Sequence, residues 1–266
     1  MADKAWEGTF ETPCPGRSSK PRRTGLTMVI DKGLGEHAVQ DLVLTAGDYI
    51  DVIKLTFGTS AFYDREALRK KNRFLTGAGI DVMPGGTFLE VSVWQNSLPA
   101  YLVRARELGF TAIEMSDGTI EIDRPTRGDI IRRARDEGFK VYAEVGKKDP
   151  AEAPPIEVIH ELIREDLGNG AFKVIIEARE AGRGVGIFDK EGKTRTGEIS
   201  RILAGGSEFD DLVWEAPLKN QQQDLILRFG VNVNLGNIPA EEVLALEALR
   251  QGLRGDTLKR AYRANR

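Results

Sequence analysis

Three glutamates stand where successive apolar runs of the sequence end. Glu114, Glu144 and Glu177 each lie at the end of a short run of the kind that forms a buried strand. Neighbouring strands lie only about 5 Å apart, so these carboxylates would repel one another unless protons, basic side chains or a cation neutralised them. Carboxylate oxygens on rigid strand ends suit Mg²⁺. We therefore predict that the three glutamates form or border a Mg²⁺ site.

Basic side chains occur at the ends of the same runs. In the run that ends near Glu144, a period of two would place Glu144, Gly146 and Lys148 on one side, so that an acid and an amine face one cleft. Lys54 and Arg179 stand near the ends of two other runs. These cations could hold an anionic substrate. Alternatively, they could pair with the glutamates in a purely structural ion network.

Glycine-rich turns also follow several of the runs. They offer unhindered backbone N–H groups to an anion, and Arg179 or Arg183 could add a bidentate contact to a phosphate. The sequence Gly-Val-Gly-Ile does not match the dinucleotide fingerprint in its strand–helix context, so we expect no nicotinamide cofactor. The turns are Gly58-Thr59-Ser60, Gly85-Gly86-Thr87 and Gly182–Gly186.

Eight apolar runs of strand length, separated mostly by amphipathic helical patterns, must position these residues. The repeat continues without a shift in composition, which predicts an α/β protein with one domain, a (β/α)8 TIM barrel, with a doubly wound open sheet as the alternative. Active sites of such barrels lie at the carboxyl ends of the strands, where Asp31, Glu215 and Asn234 are also expected. The predicted strands are Leu26–Ile30, Tyr49–Leu55, Ile80–Met83, Ala112–Met115, Val141–Val145, Lys173–Ile176, Leu212–Trp214 and Val231–Leu235. The predicted helices include Arg65–Leu75, Leu98–Leu108, Arg127–Glu137, Ile156–Leu167, Lys219–Phe229 and Ala240–Leu253.

Composition limits the class of protein. The chain has 266 residues, 41% of them apolar, and a formal net charge of −3, which gives no electrostatic footprint for nucleic acid. One cysteine and two histidines exclude a disulfide framework and Cys- or His-rich metal sites. No apolar run approaches the roughly 20 residues that span a bilayer, so we expect a cytoplasmic protein without a membrane partner. Residues 1–23 are predicted to form an N-terminal arm or a mobile lid, and residues 24–266 the barrel with a C-terminal helical extension.

A series of spaced motifs resembles the phosphosulfolactate synthases and spans roughly residues 20 to 260. The resemblance implies a (β/α)8 barrel that adds sulfite to phosphoenolpyruvate with Mg²⁺, giving (2R)-phospho-3-sulfolactate on the way to coenzyme M. It also implies small anionic substrates, and we expect a homo-oligomer. The matching segments are Leu26–Leu34, Asp48–Asp51, Phe57–Ser60, Pro84–Thr87, Glu114–Gly118, Glu144–Lys148, Glu177–Glu180, Trp214–Pro217, Asn232–Leu235 and Gly252–Thr257.

The resemblance, together with strand parity, suggests a role for each residue. Lys148 would donate a proton to the central carbon of the substrate, whereas Lys147 should point away from Glu144. Lys54 would help hold the anionic substrates, and Asp31 would orient Lys54 or a water on the metal. The predicted substrate-binding residues are Arg179, Gly85, Gly86, Ser60, Glu215 and Asn234.

Two other functions remain open. The family includes members similar to plant heat-stress-associated proteins, which suggests a stress-tolerance or protein-interaction factor with reduced or altered catalysis on the same barrel. A Schiff-base aldolase centred on Lys54 would require a carbonyl substrate and an amine of depressed pKa. Because the charged residues at the strand ends are retained together, the synthase is the favoured interpretation.

Overall fold

A computed structural model describes residues 4–179, 181–206 and 208–264. Short parallel strands alternate with helices along the chain. The strands are β1 Thr27–Asp31, β2 Val52–Leu55, β3 Asp81–Pro84, β4 Ala112–Met115, β5 Lys140–Val145, β6 Lys173–Ile176, β7 Leu212–Glu215 and β8 Leu235–Pro239. The α-helices are α1 Glu36–Ala46, α2 Arg65–Gly77, α3 Gly86–Trp94, α4 Leu98–Glu107, α5 Arg124–Asp136, α6 Ile156–Asn169, α7 Thr196–Leu203, α8 Lys219–Phe229, α9 Val243–Arg250 and α10 Gly255–Ala264.

The strands form the wall of a barrel. Hydrogen-bonded neighbours follow the order β3-β2-β1-β8-β7-β6-β5-β4. The two terminal strands of this series meet as well: Thr111, just before β4, donates its backbone N–H to the carbonyl of Val82 in β3 at 3.1 Å, and its hydroxyl accepts from the Val82 amide at 3.0 Å. The predicted (β/α)8 barrel is confirmed, and the open sheet is wrong.

Side-chain alternation along the strands separates two apolar regions. One cluster fills the barrel interior; the intervening residues pack outward against the helices, which is why each strand is apolar on both faces. The interior cluster comprises Met28, Val52, Met83, Ala112, Tyr142, Ile175 and Val213. Two residues further along five of these strands, the same inward parity gives a layer of charged side chains, namely Lys54, Glu114, Glu144, Glu177 and Glu215.

The last strand differs from the prediction. The run Val231–Leu235 was expected to be a strand, but β8 begins only at Leu235. Asn234 precedes it and uses its side chain to tie the amino ends of strands together: Oδ1 accepts from the Leu26 amide at 3.0 Å, and Nδ2 donates to the Leu212 carbonyl at 2.9 Å. β8 contains Gly236 because a Cβ there would come within 2.8 Å of Met28 Cε inside the barrel. Glycine disfavours strands, which explains why the apolar pattern missed this one.

Several helices lie outside the examples named from the sequence. They are α1, α3 and α7. In α3 apolar residues lie on all sides of the helix, so its sequence lacks the stripe that reveals an amphipathic helix. The single helix predicted at Ala240–Leu253 is instead a 3₁₀ turn followed by α9, and a separate α10 follows. Among the described residues, no helix is long and apolar enough to cross a membrane.

The N-terminal arm packs against the amino ends of the strands. Arg17 forms an ion pair with Glu247 at 3.1 Å, and Arg22 forms one with Asp51, immediately before β2, at 3.2 Å. The Ser18 amide donates to the Asn232 side chain at 3.0 Å. The charged layer described above lies toward the carboxyl ends of the strands, at the other end of the barrel. This part of the arm therefore lies at the end of the barrel away from the charged layer.

Candidate active site

A buried lysine lies among glutamates at the carboxyl-end mouth of the barrel. Lys54 Nζ in β2 is 2.7 Å from Glu114 Oε1, 3.2 Å from Glu215 Oε1 and 3.9 Å from Glu144 Oε2. All four side chains are buried. Each is inward-facing and two residues beyond an apolar interior residue, so the strand backbone fixes their approach. The barrel thus brings together residues that are up to 161 positions apart in sequence.

The crowding of acids controls the protonation of this mouth. Burial lowers the pKa of Lys54, but Glu114, Glu215 and Glu144 outweigh burial and hold this pKa well above its usual value. Burial raises the pKa of Glu114 to about 7, although Lys54 opposes the shift. Burial, followed by the charges of Glu144 and Glu215, raises the pKa of Glu177 well above its usual value. Both causes favour the protonated form of Glu177.

Glu144 is the ionised partner of Glu177. Burial would raise the pKa of Glu144, but Lys54 and Lys148 outweigh burial, and a hydrogen bond with Glu177 and one from Ser116 help to lower the pKa further. Ser116 Oγ lies 2.9 Å from Glu144 Oε1. The two neighbouring carboxyl groups thus share one proton between them, which reduces their repulsion.

Three of the carboxylates converge closely enough to hold a cation. One oxygen from each of Glu144, Glu177 and Glu215 lies within 4.8 Å of the others, and all three residues are buried. Glu114, the third member of the predicted set, has other partners: Oε1 contacts Lys54, and Oε2 accepts a hydrogen bond from the Gly86 amide. The converging set therefore contains Glu215, predicted to bind substrate, in place of Glu114.

Lys148 reaches the mouth from the loop after β5. Its ammonium donates to Thr87 Oγ1 at 2.6 Å, and its side chain is 30% exposed. Burial lowers the pKa of Lys148, but Glu144, Glu90 and other glutamates outweigh burial, and the net shift is upward. Lys147 instead donates to the Asp117 carbonyl. Lys147 thus points elsewhere, as strand parity predicts.

A cavity of about 210 Å³ at the mouth collects most of the predicted residues. Arg179 lies on its wall in a left-handed conformation with φ of 60°, and its amide donates to Glu177 Oε1. At Gly86, the first residue of α3, a Cβ would overlap Ser116 and lie 3.2 Å from Glu114 Cγ, so only glycine fits. The predicted residues that line the cavity are Lys54, Gly85, Gly86, Glu114, Glu144, Lys148, Glu177, Arg179 and Glu215.

Asp31 does not belong to this cavity. It follows Ile30 in β1 and so has the outward parity, and its Oδ2 lies 2.5 Å from the ammonium of Lys71 in α2. Its Oδ1 accepts from the amides of Gly33 and Leu34. The prediction that Asp31 orients Lys54 is therefore wrong, because this carboxylate fixes the loop between β1 and α1.

Ser60 and Asn234 also lie away from the mouth. Ser60 belongs to a 3₁₀ turn and lines a separate cavity of about 490 Å³ between α2 and α4. Asn234 lies at the amino end of β8, as described above. The placement of both residues in the substrate site is wrong. Asn237, two residues after the start of β8, lines the mouth instead.

Comparison with known proteins identifies the family. The family model described as (2R)-phospho-3-sulfolactate synthase (ComA) matches residues 15–256. The chain belongs to this family. The phosphosulfolactate synthase of Methanothermobacter thermautotrophicus is 43% identical over 251 residues, which cover 94% of this chain and 97% of that protein. The phosphosulfolactate synthase of Methanocaldococcus jannaschii is 45% identical over 235 residues, covering 88% and 93%.

The phosphosulfolactate synthase family consists of enzymes, so this chain is an enzyme that acts on small molecules. A solved structure of 3-hexulose-6-phosphate synthase from Salmonella typhimurium superposes with a TM-score of 0.53 at 12% identity, covering 89% of this chain and 99% of that one. That likeness shows the fold alone.

Sequence reasoning missed one acidic residue at the site of this synthase-family member. Glu90 lies on α3, is 1% exposed, and comes within 3.7 Å of Lys148 Nζ. The available signal was a charged residue in the middle of the apolar segment Gly86–Trp94. A buried glutamate needs partners, so its position there indicates a polar environment on the barrel side of the helix.

Proposed function

We propose that this family member catalyses the Mg²⁺-dependent addition of sulfite to phosphoenolpyruvate, giving (2R)-phospho-3-sulfolactate. One observation carries the proposal. The same cavity is lined by a set of converging carboxylates and by Lys148. A cation and an acid within one cavity are what an addition to a charged double bond requires.

The carboxylate set fits Mg²⁺. Its ligands are oxygen only, and the 4.8 Å spread of the oxygens is close to the span of about 4 Å that two Mg–O bonds of roughly 2.0–2.1 Å can bridge. Glu144, Glu177 and Glu215 would hold the ion, with small movements of their flexible side chains. When bound, Mg²⁺ supplies positive charge where negative charge develops on the substrate carboxylate.

The anionic substrates find positive groups on other walls of the cavity. Arg179 lies on one wall, and the amino end of α3 with Gly85 and Gly86 forms another. A helix amino end favours an anion through its dipole. The dipole carries this contribution, because the Gly85 and Gly86 amides already donate to Leu55 and Glu114. Arg179 and this helix end are therefore the proposed contacts for the phosphate and for sulfite.

The chemical step needs one nucleophile and one acid. Sulfite sulfur attacks the terminal carbon of phosphoenolpyruvate; a carbon–sulfur bond forms while the carbon–carbon π bond breaks, and its electron pair moves toward the central carbon and the carboxylate. Lys148 then donates a proton to the central carbon. The upward pKa shift of Lys148 keeps it protonated at neutral pH, and its partial exposure lets it regain the proton from water.

The geometry does not favour the aldolase alternative. A Schiff-base lysine must lose its proton to attack a carbonyl, which requires a lowered pKa. The glutamates around Lys54 hold its pKa well above the usual value instead. Failure to trap a carbonyl substrate on Lys54 with borohydride is the expected result. Within residues 4–179, 181–206 and 208–264, no specific contact favours the stress-tolerance function.

The direct test is an assay of product formation. The protein is incubated with phosphoenolpyruvate, sulfite and Mg²⁺, and the addition product is detected by mass spectrometry, with sulfite omitted or EDTA added as controls. We expect Lys148→Met to abolish product while circular dichroism shows a folded protein. Lys147→Met is the matched control and should retain most of the activity. No product from the wild-type protein, or full turnover by Lys148→Met, refutes the proposal.

A further inference from the structure

Glu90 uses both carboxylate oxygens although it is buried on α3. Oε2 accepts hydrogen bonds from the amides of Thr119 at 2.9 Å and Ile120 at 2.8 Å. Oε1 is 3.0 Å from Ser116 Oγ and 3.7 Å from Lys148 Nζ. Burying a carboxylate costs several kcal/mol unless hydrogen bonds and a counter-charge compensate. Here the compensating partners are the loop after β4 and the ammonium of Lys148.

Lys148, in the loop after β5, contacts the loop after β4 that Glu90 holds. Its backbone amide donates to the Gly118 carbonyl at 3.1 Å, and a Cβ on Gly118 would come within 3.3 Å of Lys148 Cε. Its ammonium contacts Thr87 at 2.6 Å and faces Glu90. Thr87 and Glu90 are three residues apart and so lie on one face of α3. The loop after β4 therefore contacts the backbone and the side chain of Lys148, while α3 contacts its ammonium.

We propose that Glu90 is a positioning residue, which holds the Lys148 ammonium at the cavity in the orientation required to donate a proton to the substrate. This inference rests on the proposed function, because it takes Lys148 as the acid. Glu90 acts in two ways. It fixes the loop after β4, which contacts Lys148, by accepting from two backbone amides of that loop, and it provides a negative charge beside the ammonium.

The charge of Glu90 has a separate, measurable consequence. The pKa of Lys148 is raised by the charges of Glu144 of β5, Glu90 of α3, Glu177 beyond β6 and Glu114 of β4. Lys54 and Arg179 line the same cavity. Glu90 is among the groups that raise the pKa of Lys148. In Glu90→Gln this contribution is lost, so a larger fraction of Lys148 is the neutral, nucleophilic amine at a given pH below its pKa.

Competitive acetylation measures this fraction without any turnover. Glu90→Gln keeps the size of the side chain and an oxygen that can accept from the loop amides. The acetic anhydride reactivity of Lys148 at pH 8.5, quantified by peptide mass spectrometry, should rise about threefold to tenfold, since one pKa unit corresponds to tenfold. Glu107→Gln is the matched control: Glu107 lies on the exposed face of α4, paired with Arg104, and its replacement should leave Lys148 labelling unchanged.

Kinetics of the same variants complete the test. We expect kcat of Glu90→Gln to fall at least about tenfold with KM for phosphoenolpyruvate within about threefold, because the acid is misplaced while the anion contacts remain. If Glu90→Gln does not fold, Glu90→Asp is the second variant, which keeps the negative charge but moves it away from Lys148 because the side chain is shorter. It should give Lys148 labelling above wild type and a reduced kcat.

The outcomes separate this inference from the proposed function. Unchanged Lys148 labelling in the folded Glu90 variant, or unchanged kcat in an active protein, overturns the role of Glu90. A wild-type protein that does not convert phosphoenolpyruvate and sulfite overturns the proposed function instead, and the labelling then still decides whether Glu90 controls Lys148.

Discussion

Binding of Mg²⁺ should release protons, and its affinity should rise with pH. The reason lies in Glu177, which is 3% exposed and whose pKa is raised well above its usual value by burial and by Glu144 and Glu215. A carboxylate must be deprotonated to bind a metal, so each ion that uses Glu177 displaces its proton. While one carboxyl titrates, the apparent affinity changes about tenfold per pH unit, or about 1.4 kcal/mol.

The sign of the effect follows from the direction of the shift. Below the raised pKa of Glu177 the proton competes with the cation, so affinity falls as pH falls; above this pKa the competition ends. Titration calorimetry at pH 6, 7 and 8, in two buffers of different ionisation enthalpy, gives the number of protons released. We expect a net release of protons that falls as pH rises, with part of it from Glu114, whose pKa is about 7.

Variants determine whether the proton comes from this site. Glu177→Gln removes both the proton and a ligand, so binding should weaken and proton release should fall to the fraction from Glu114. Glu107→Gln on α4 alters an exposed ion pair and should behave as wild type. Tight binding with no proton release at any of the three pH values, or identical titrations of Glu177→Gln and wild type, would refute the reasoning.

Further expectations concern stability and assembly. Gly86→Ala should lower the free energy of unfolding by about 1–3 kcal/mol and reduce activity, because a Cβ there overlaps its neighbours, whereas Gly77→Ala has open space and should be neutral in chemical denaturation. Asp31→Asn should lower the free energy of unfolding by about 3–5 kcal/mol, because Lys71 would be buried without its counter-charge. The kcat per folded molecule should stay within about twofold; a selective loss of kcat would indicate that Asp31 acts in the active site. The sequence-based expectation of a homo-oligomer can be checked by light scattering; a monomer at all concentrations would contradict it.

The sequence predicts the barrel well because its signal is repeated and local. Each strand is a short apolar run and most helices carry an apolar stripe, so errors at single elements do not change the fold. The predicted residues that do reach the mouth also follow from a local rule, alternation along a strand. The same rule separates Asp31 from Lys54: in β1, Met28 is in the barrel interior, so Ile30 shares its side and Asp31 points outward. The prediction placed Asp31 at the mouth because it follows an apolar run, without regard to this alternation.

The remaining features depend on contacts between distant segments. Asn234 and Asn237 are three residues apart, and which of them lies at the mouth depends on where β8 begins, which the interior contact of Gly236 with Met28 decides. Glu90 is separated from its partners Ser116 and Lys148 by 26 or more residues. No pattern within α3 indicates which residues lie opposite that helix. Such pairings are visible only after the barrel is closed.

The charged layer at the mouth costs desolvation free energy, which binding of a cation would offset. Lys54 lies beside four buried glutamates, and the raised pKa values of Glu177 and Glu114 favour a protonated carboxyl among them. Apolar side chains at these positions would extend the interior cluster below and avoid the desolvation of several charges. Natural sequences depart from the apolar pattern mainly at functional sites. Under the proposed function, the excess negative charge is the protein's contribution to a cation site, and Lys54 is the internal charge that keeps the glutamates together.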